Sequence, residues 1–154
     1  LVYTLSLHDA LPICHVFLCQ HHSRDTVWLP ELMTHANGAR RLTRLAAAVD
    51  DPGATAAAYA RLFAEGVVLE LDGGAEVRTG DAPITFLTPA ALADAYPGLA
   101  RPKAAYSALR LEVADLEVAR RVLAEAGVAA HPTAQGVAVA PADAAGAIVE
   151  FVSP

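Results

Sequence analysis

Leu109-Arg110-Leu111-Glu112-Val113-Ala114-Asp115 decides the fold, because the pattern that follows it has already occurred once in the chain. Leu109, Leu111 and Val113 alternate with Arg110 and Glu112, the period of a half-buried strand. Asp115 is placed to cap a helix whose apolar stripe is Leu116, Ala119, Leu123 and Ala126, and Gly127 is placed to stop it. Three short strands are expected after it, at 128–131, 137–139 and 148–152, and the chain closes on Phe151-Val152-Ser153-Pro154. The earlier copy runs from Val49-Asp50-Asp51 to Phe86-Leu87-Thr88-Pro89. Asp51 returns as Asp115 and Phe86 as Phe151, a period of 64 to 65 residues that holds across the unit. A fixed period of this kind marks a duplicated supersecondary unit.

In the first copy a strand is expected over 42–49, followed by the cap candidates Asp50 and Asp51, with Pro52 where a first helical turn accepts it. The helix is expected to run to about Ala64 and to end at Glu65-Gly66. A hairpin over 67–71 and 75–77 turns at Asp72-Gly73-Gly74, and 84–87 closes the unit. Thr88 and Pro89 open a short helix, and the Pro- and Gly-rich stretch 96–104 links the copies. Each unit therefore reads β-α-β-β-β, over 41–89 and 105–154 with a linker over 90–104, within one domain spanning 41–154.

The 154 residues carry a formal charge of −6, and no Lys/Arg cluster larger than a pair such as Arg40-Arg41 compensates, so nucleic acid and anionic membranes are poor partners. The 55% hydrophobic content comes largely from alanine, and no run approaches the ~20 apolar residues of a membrane span. Cys14 and Cys19 lie on a β-prone stretch where five residues span roughly 16 Å, too far for a mutual disulfide without a sharp turn. A reduced, cytoplasmic setting is expected. Leu1 to Ile13 resembles the translation of a sequencing-library adapter, lacks the marks of a signal peptide, and is set aside. On that reading the gene is truncated upstream. Residues 14–40 are expected to be the last strand of a preceding domain plus a connector with a turn at Asn37-Gly38.

Two tandem β-α-β-β-β units, each with a first strand ending in Val-x-Asp, resemble the vicinal oxygen chelate superfamily. That group includes glyoxalases, extradiol dioxygenases and antibiotic-sequestering proteins. The run Phe17 to His21, Val27-Trp28, Pro30-Glu31, His35 and Asn37-Gly38-Ala39 is similar to the stretch joining two halves in bacterial glyoxalase-like proteins. The resemblance implies an α+β fold, one cupped mixed sheet with helices outside. It also implies a question about metal. Metal-dependent members take one ligand from the first strand of each unit, seven residues before the Asp, and one from the last strand, just before the Phe-like residue. Those positions here are Arg44, Ala108, Thr85 and Glu150. Only Glu150 is a competent ligand, and stable sites need three or four, so no catalytic metal is expected; a divalent cation is the alternative.

Glu150 is the one candidate for chemistry, as a general base inside the cup if burial raises its pKa. The plainer expectation is that it pairs with Arg44 across the cavity floor, or is the remnant of an ancestral site, since buried charges persist when paired. Arg44 is alternatively an anchor for an acidic ligand, and Arg44, Thr85 and Glu150 form the candidate binding set. Cys14, His15, Cys19, His21, His22 and His35 lack zinc-site spacing, although His21 or His22 is open to recruitment by upstream sequence. Three roles remain: an enzyme, lyase or dioxygenase in type, whose chemistry lies in a missing N-terminal half; a small-molecule binding module; and a non-catalytic dimerisation domain. A monomer and a homodimer are both compatible with two units closing one cup.

Overall fold

The computed structural model describes residues 22–62 and 67–154. The first thirteen residues, the Cys14 to Gln20 stretch and His21 lie outside the described residues, as do 63–66; the first helix, expected to run to about Ala64, ends already at Ala60.

Eight strands form one sheet: β1 (Ala39–Ala48), β2 (Val67–Leu71), β3 (Gly74–Arg78), β4 (Ile84–Leu87), β5 (Ala108–Val113), β6 (His131–Pro132), β7 (Gly136–Val139) and β8 (Ile148–Val152). Their order is β2-β3-β4-β1-β5-β8-β7-β6. Within each unit the first strand runs parallel to the last, β1 with β4 and β5 with β8, and the units join where β1 meets β5 antiparallel. The expected α+β sheet of two β-α-β-β-β units is therefore the observed one. Between Ala39 and Arg41, and again between Leu42 and Arg44, β1 carries a register shift against β5. Such bulges tighten local twist and bend the strand, which suits a central strand of a cupped sheet.

The helices are set by their ends. In α1 (Pro52–Ala60) the Asp51 carboxylate accepts the Ala54 N–H at 2.9 Å and Pro52 occupies the first turn. In α2 (Pro89–Ala95) the Thr88 hydroxyl accepts the Ala91 N–H, again ahead of a proline. In α3 (Leu116–Glu125) Asp115 caps the start. Its far end closes at Gly127, as expected, and what differs is the stretch after it. The Gly127 N–H donates to Ala124 O and the Val128 N–H to Leu123 O, with Gly127 at φ +70°. This is the Schellman arrangement, in which the residue after the glycine packs back on the helix. Val128 and Ala130 accordingly join the apolar cluster below α3. The apolar stretch expected as a strand over 128–131 thus mostly serves a helix cap, and β6 pairs over two residues only.

Side-chain alternation divides the core between the two faces of the sheet. On one face Ala47, Ala75, Val77 and Phe86 meet Ala56 and Tyr59 of α1, with the Tyr59 and Phe86 rings 4.9 Å apart. On the same face of the second unit Val113, Val137, Val139 and Phe151 meet Ala119 of α3. The opposite, inner face is also partly filled: Ala46, Ala108, Ala138 and Ile148 are covered by Leu92 and Tyr96 of α2 and the linker.

Gly74 and Gly136 occupy matching places, each opening the third strand of its unit beside the last strand. A Cβ on Gly74 would lie 2.5 Å from the Phe86 carbonyl oxygen, and one on Gly136 would overlap the Phe151 carbonyl. The repeat visible in the sequence extends to this backbone contact.

Candidate functional site

The four positions implied by the resemblance do converge. Thr85 lies beside Ala46, which pairs with Ala108, and one step along the strands Arg44 pairs with Arg110, which pairs with Glu150. All belong to the inner face at the seam between units. What the structure changes is the partner of Glu150.

Glu150 is 2% exposed. Its Oε2 accepts from Arg110 Nε at 2.7 Å and from the Tyr96 hydroxyl at 3.0 Å, while Oε1 accepts from the Thr133 hydroxyl at 2.7 Å. The expectation that Glu150 pairs with Arg44 is therefore corrected: the guanidinium that neutralises it is Arg110. The reason is register. Parallel pairing of β5 with β8 sets Arg110 directly beside Glu150, whereas Arg44 stands one strand further off and reaches Glu76 at 3.7 Å. The Thr85 hydroxyl also points to Glu76, at 3.4 Å. Thr85 and Glu150 are buried and the Arg44 side chain is 37% exposed, so of the three candidates Arg44 is the one that solvent reaches readily.

Arg44 and Arg110 are direct cross-strand neighbours, an arrangement that like charges disfavour. Each is offset by a carboxylate on its other side, Glu76 for Arg44 and Glu150 for Arg110. A third pair, Arg41 with Glu112 at 2.6 Å, lies further along the same seam at the surface. The inner face thus has an apolar half roofed by α2 and a half carrying arginine–carboxylate pairs.

Tyr96 joins these halves. Burial, then the Glu150 charge and the hydrogen bond to it, push its phenol up to about 12. The phenol consequently stays protonated and donating throughout the neutral range. Because the unfolded phenol loses its proton near pH 10, the contribution of this bond is complete below pH 10 and is lost as pH rises through about 12. Tyr96→Phe should destabilise the protein by about 2 kcal/mol at pH 7, the usual value of a hydrogen bond to a charged group. Urea titrations of both proteins from pH 7 to 12 should show this gap narrowing only above pH 10; a gap that is constant with pH would mean the bond is not made.

The geometry does not fit a divalent cation at these four positions. Arg44 and Ala108 offer no donor, Thr85 faces Glu76, and both Glu150 oxygens are held by hydrogen-bond donors, one of them cationic. No group of three or more His, Cys, Asp or Glu side chains with metal-binding geometry occurs among the described residues. His22 and His35 are exposed on the connector, and Trp28 lies under the Arg24 guanidinium at 4.5 Å. No helix among the described residues is long and apolar enough to cross a membrane.

Solved structures with the same arrangement include methylmalonyl-CoA epimerase from Mycobacterium tuberculosis, 21% identical, at a TM-score of 0.53 over 79% of this chain and 93% of that one. A hypothetical protein from Bacillus halodurans C-125 matches at 20% identity and a TM-score of 0.51, covering 74% and 94%. The chain has the vicinal oxygen chelate fold. A family model described as a glyoxalase-like domain matches residues 4–63, from ahead of the connector through β1 and α1. A search of curated proteins gives no match. The resemblance to the vicinal oxygen chelate superfamily, counted onto this sequence, pointed to Arg44, Thr85, Ala108 and Glu150. It missed Arg110, Tyr96 and Thr133, of which only Arg110 left a signal, as the residue level with Glu150 once β5 and β8 are taken as parallel.

Proposed function

We infer that this vicinal oxygen chelate domain works without a metal of its own and binds an acidic small molecule on the open half of its inner face, with Arg44 as the anchor. The observation that carries this reading is the closed hydrogen-bond set around Glu150. A carboxylate with three donors on it, one of them a guanidinium, is neutralised in place, which removes it as a base or ligand. Arg44, by contrast, keeps an exposed guanidinium and a single long contact, so its planar fork is available to a carboxylate or phosphate. A second reading, a supporting domain with no ligand in the cup, is favoured by the roof that Leu92 and Tyr96 place over the apolar half.

Titration calorimetry of the whole chain with malonate, succinate and inorganic phosphate separates the two. Saturable binding by at least one, weakened about tenfold or more in Arg44→Gln, is expected; a tenfold loss corresponds to about 1.4 kcal/mol, in the range of one charge-assisted hydrogen bond. No saturation by any of the three in a folded protein would leave the supporting role.

A further inference from the structure

The two units repeat a corner, the turn from first strand to helix, at Val49-Asp50-Asp51 and at Val113-Ala114-Asp115, and the chain treats the two differently. At the second corner the connector closes in: the Ala114 N–H donates to Gly38 O at 2.8 Å, and a Cβ on Gly38 would touch Ala114 at 3.6 Å. At the first corner the linker into β5 stands away, and a cavity of about 690 Å³ opens between Asp50, Asp51 and α1 on one wall and Arg101, Lys103 and Ser107 on the other. That volume is in the range of small-molecule sites.

Two features distinguish this cavity from an ordinary surface groove. Thr55, on the second turn of α1, is 6% exposed and lines the cavity, and its hydroxyl has no hydrogen-bond partner among the described residues. Among the described residues only Arg120 Nε is a fully buried side-chain polar atom without a hydrogen-bond partner, so the Thr55 hydroxyl opens to the cavity and is free to bond what enters. Ser107, 4% exposed, accepts the Ala48 N–H at 3.1 Å from the opposite side and keeps its own proton to donate. The second feature is charge. Asp50, Arg101 and Lys103 line one cavity, yet none forms an ion pair among the described residues. Opposite charges that face one space without meeting leave room for a molecule between them. A simple anion would be repelled by Asp50 and Asp51, and a simple cation by Arg101 and Lys103.

We propose that the corner between β1, α1 and the 101–107 linker is a binding site for a zwitterionic small molecule, one that carries an ammonium group toward Asp50 and Asp51 and an acidic group toward Arg101 and Lys103. Asp51 already gives one oxygen to the α1 cap, so Asp50 is the principal partner of the ammonium group. Thr55 and Ser107 fix the segment between the charged ends. The site is separate from the inner face, and Arg44 has no part in it.

The distance between the charged walls sets the length of the ligand, so the probe is a series of ω-amino acids from 4-aminobutyric to 8-aminooctanoic acid, titrated into the whole chain by calorimetry. The straight-chain acid and the straight-chain amine of each length are the controls. The expected result is saturable binding that peaks at one or two chain lengths and is at least tenfold weaker for both controls. Asp50→Asn and the double substitution Arg101→Ala with Lys103→Ala should each weaken it tenfold or more, Thr55→Val several-fold, and Arg44→Gln not at all. Circular dichroism of each variant confirms that it is folded. The proposal is overturned by no saturation at any length, by controls that bind as well as the amino acids, or by charge variants that bind as the parent does.

Discussion

Glu150→Ala should lower stability by about 3–5 kcal/mol, the range for removing one member of a buried ion pair. The cost comes from what remains. Arg110, with 16% of its side chain exposed, would keep its charge in a site built around a carboxylate, and the Tyr96 and Thr133 hydroxyls would lose their acceptor. At the roughly 2–4 °C per kcal/mol expected for a chain of this size, the melting temperature should fall by about 10 °C. Replacing both Glu150 and Arg110 by methionine should recover much of the loss, since a pair of well-packed apolar residues is often as stable as a buried ion pair. A loss below about 1 kcal/mol in Glu150→Ala would show that the carboxylate is not held as described, and would reopen Glu150 as a chemical group. Scanning calorimetry on the single and double variants makes the comparison.

Gly136→Ala is expected to cost about 3 kcal/mol or more, at the upper end of overpacking effects. The added methyl would fall on the Phe151 carbonyl oxygen, and backbone cannot rotate aside as a side chain can. Relief would require β7 to move away from β8, loosening the pairing that carries Glu150 between Ala138 and Arg110. Gly74→Ala repeats the test in the first unit, where the clash with Phe86 is slightly less severe and Leu87 can shift in part. Urea midpoints for the two variants should therefore both fall, Gly136→Ala further. An unchanged midpoint for Gly136→Ala would mean that the third and last strands of the second unit are not in the close contact described.

These two positions also show what was legible before any coordinates. The duplicated Val-x-Asp corners, the capping Asp51 and Asp115, and the prolines after Asp51 and Thr88 act locally, so each announces its element within a few residues. They were enough for the order of strands and helices, whereas Arg44, Thr85 and Glu150 were reached only through the positions that the family resemblance implies. Gly74 and Gly136 were not legible as close-approach residues, because their constraint comes from Phe86 and Phe151 in another strand. Gly74 in particular reads as half of a hairpin turn, which conceals its second role. Tyr96 was lost for a related reason. It sits in a stretch whose prolines and glycines mark it as a spacer, and nothing local tells that its hydroxyl reaches a carboxylate on the last strand. The Arg110–Glu150 pair depended on strand register, and a count from the Asp at the strand's end pointed to Ala108 instead.

The seam between β1 and β5 bears on how the chain reaches this structure. Parallel pairing within a unit joins residues about forty positions apart, Leu45 with Ile84 and Ala108 with Ile148. The seam joins Ala46 to Ala108, more than sixty positions apart, and does so across a strand bent at two bulges. Folding rates fall as contacts become less local, so each unit can gather its own helix and outer apolar cluster before the seam closes. The inner face, which needs strands from both units, is then the last surface to be assembled. Substitutions at Arg44, Tyr96 or Glu150 would accordingly speed unfolding more than they slow folding. The part of the molecule that distinguishes this chain from a generic cupped sheet is therefore the part with the least influence on how fast the sheet forms.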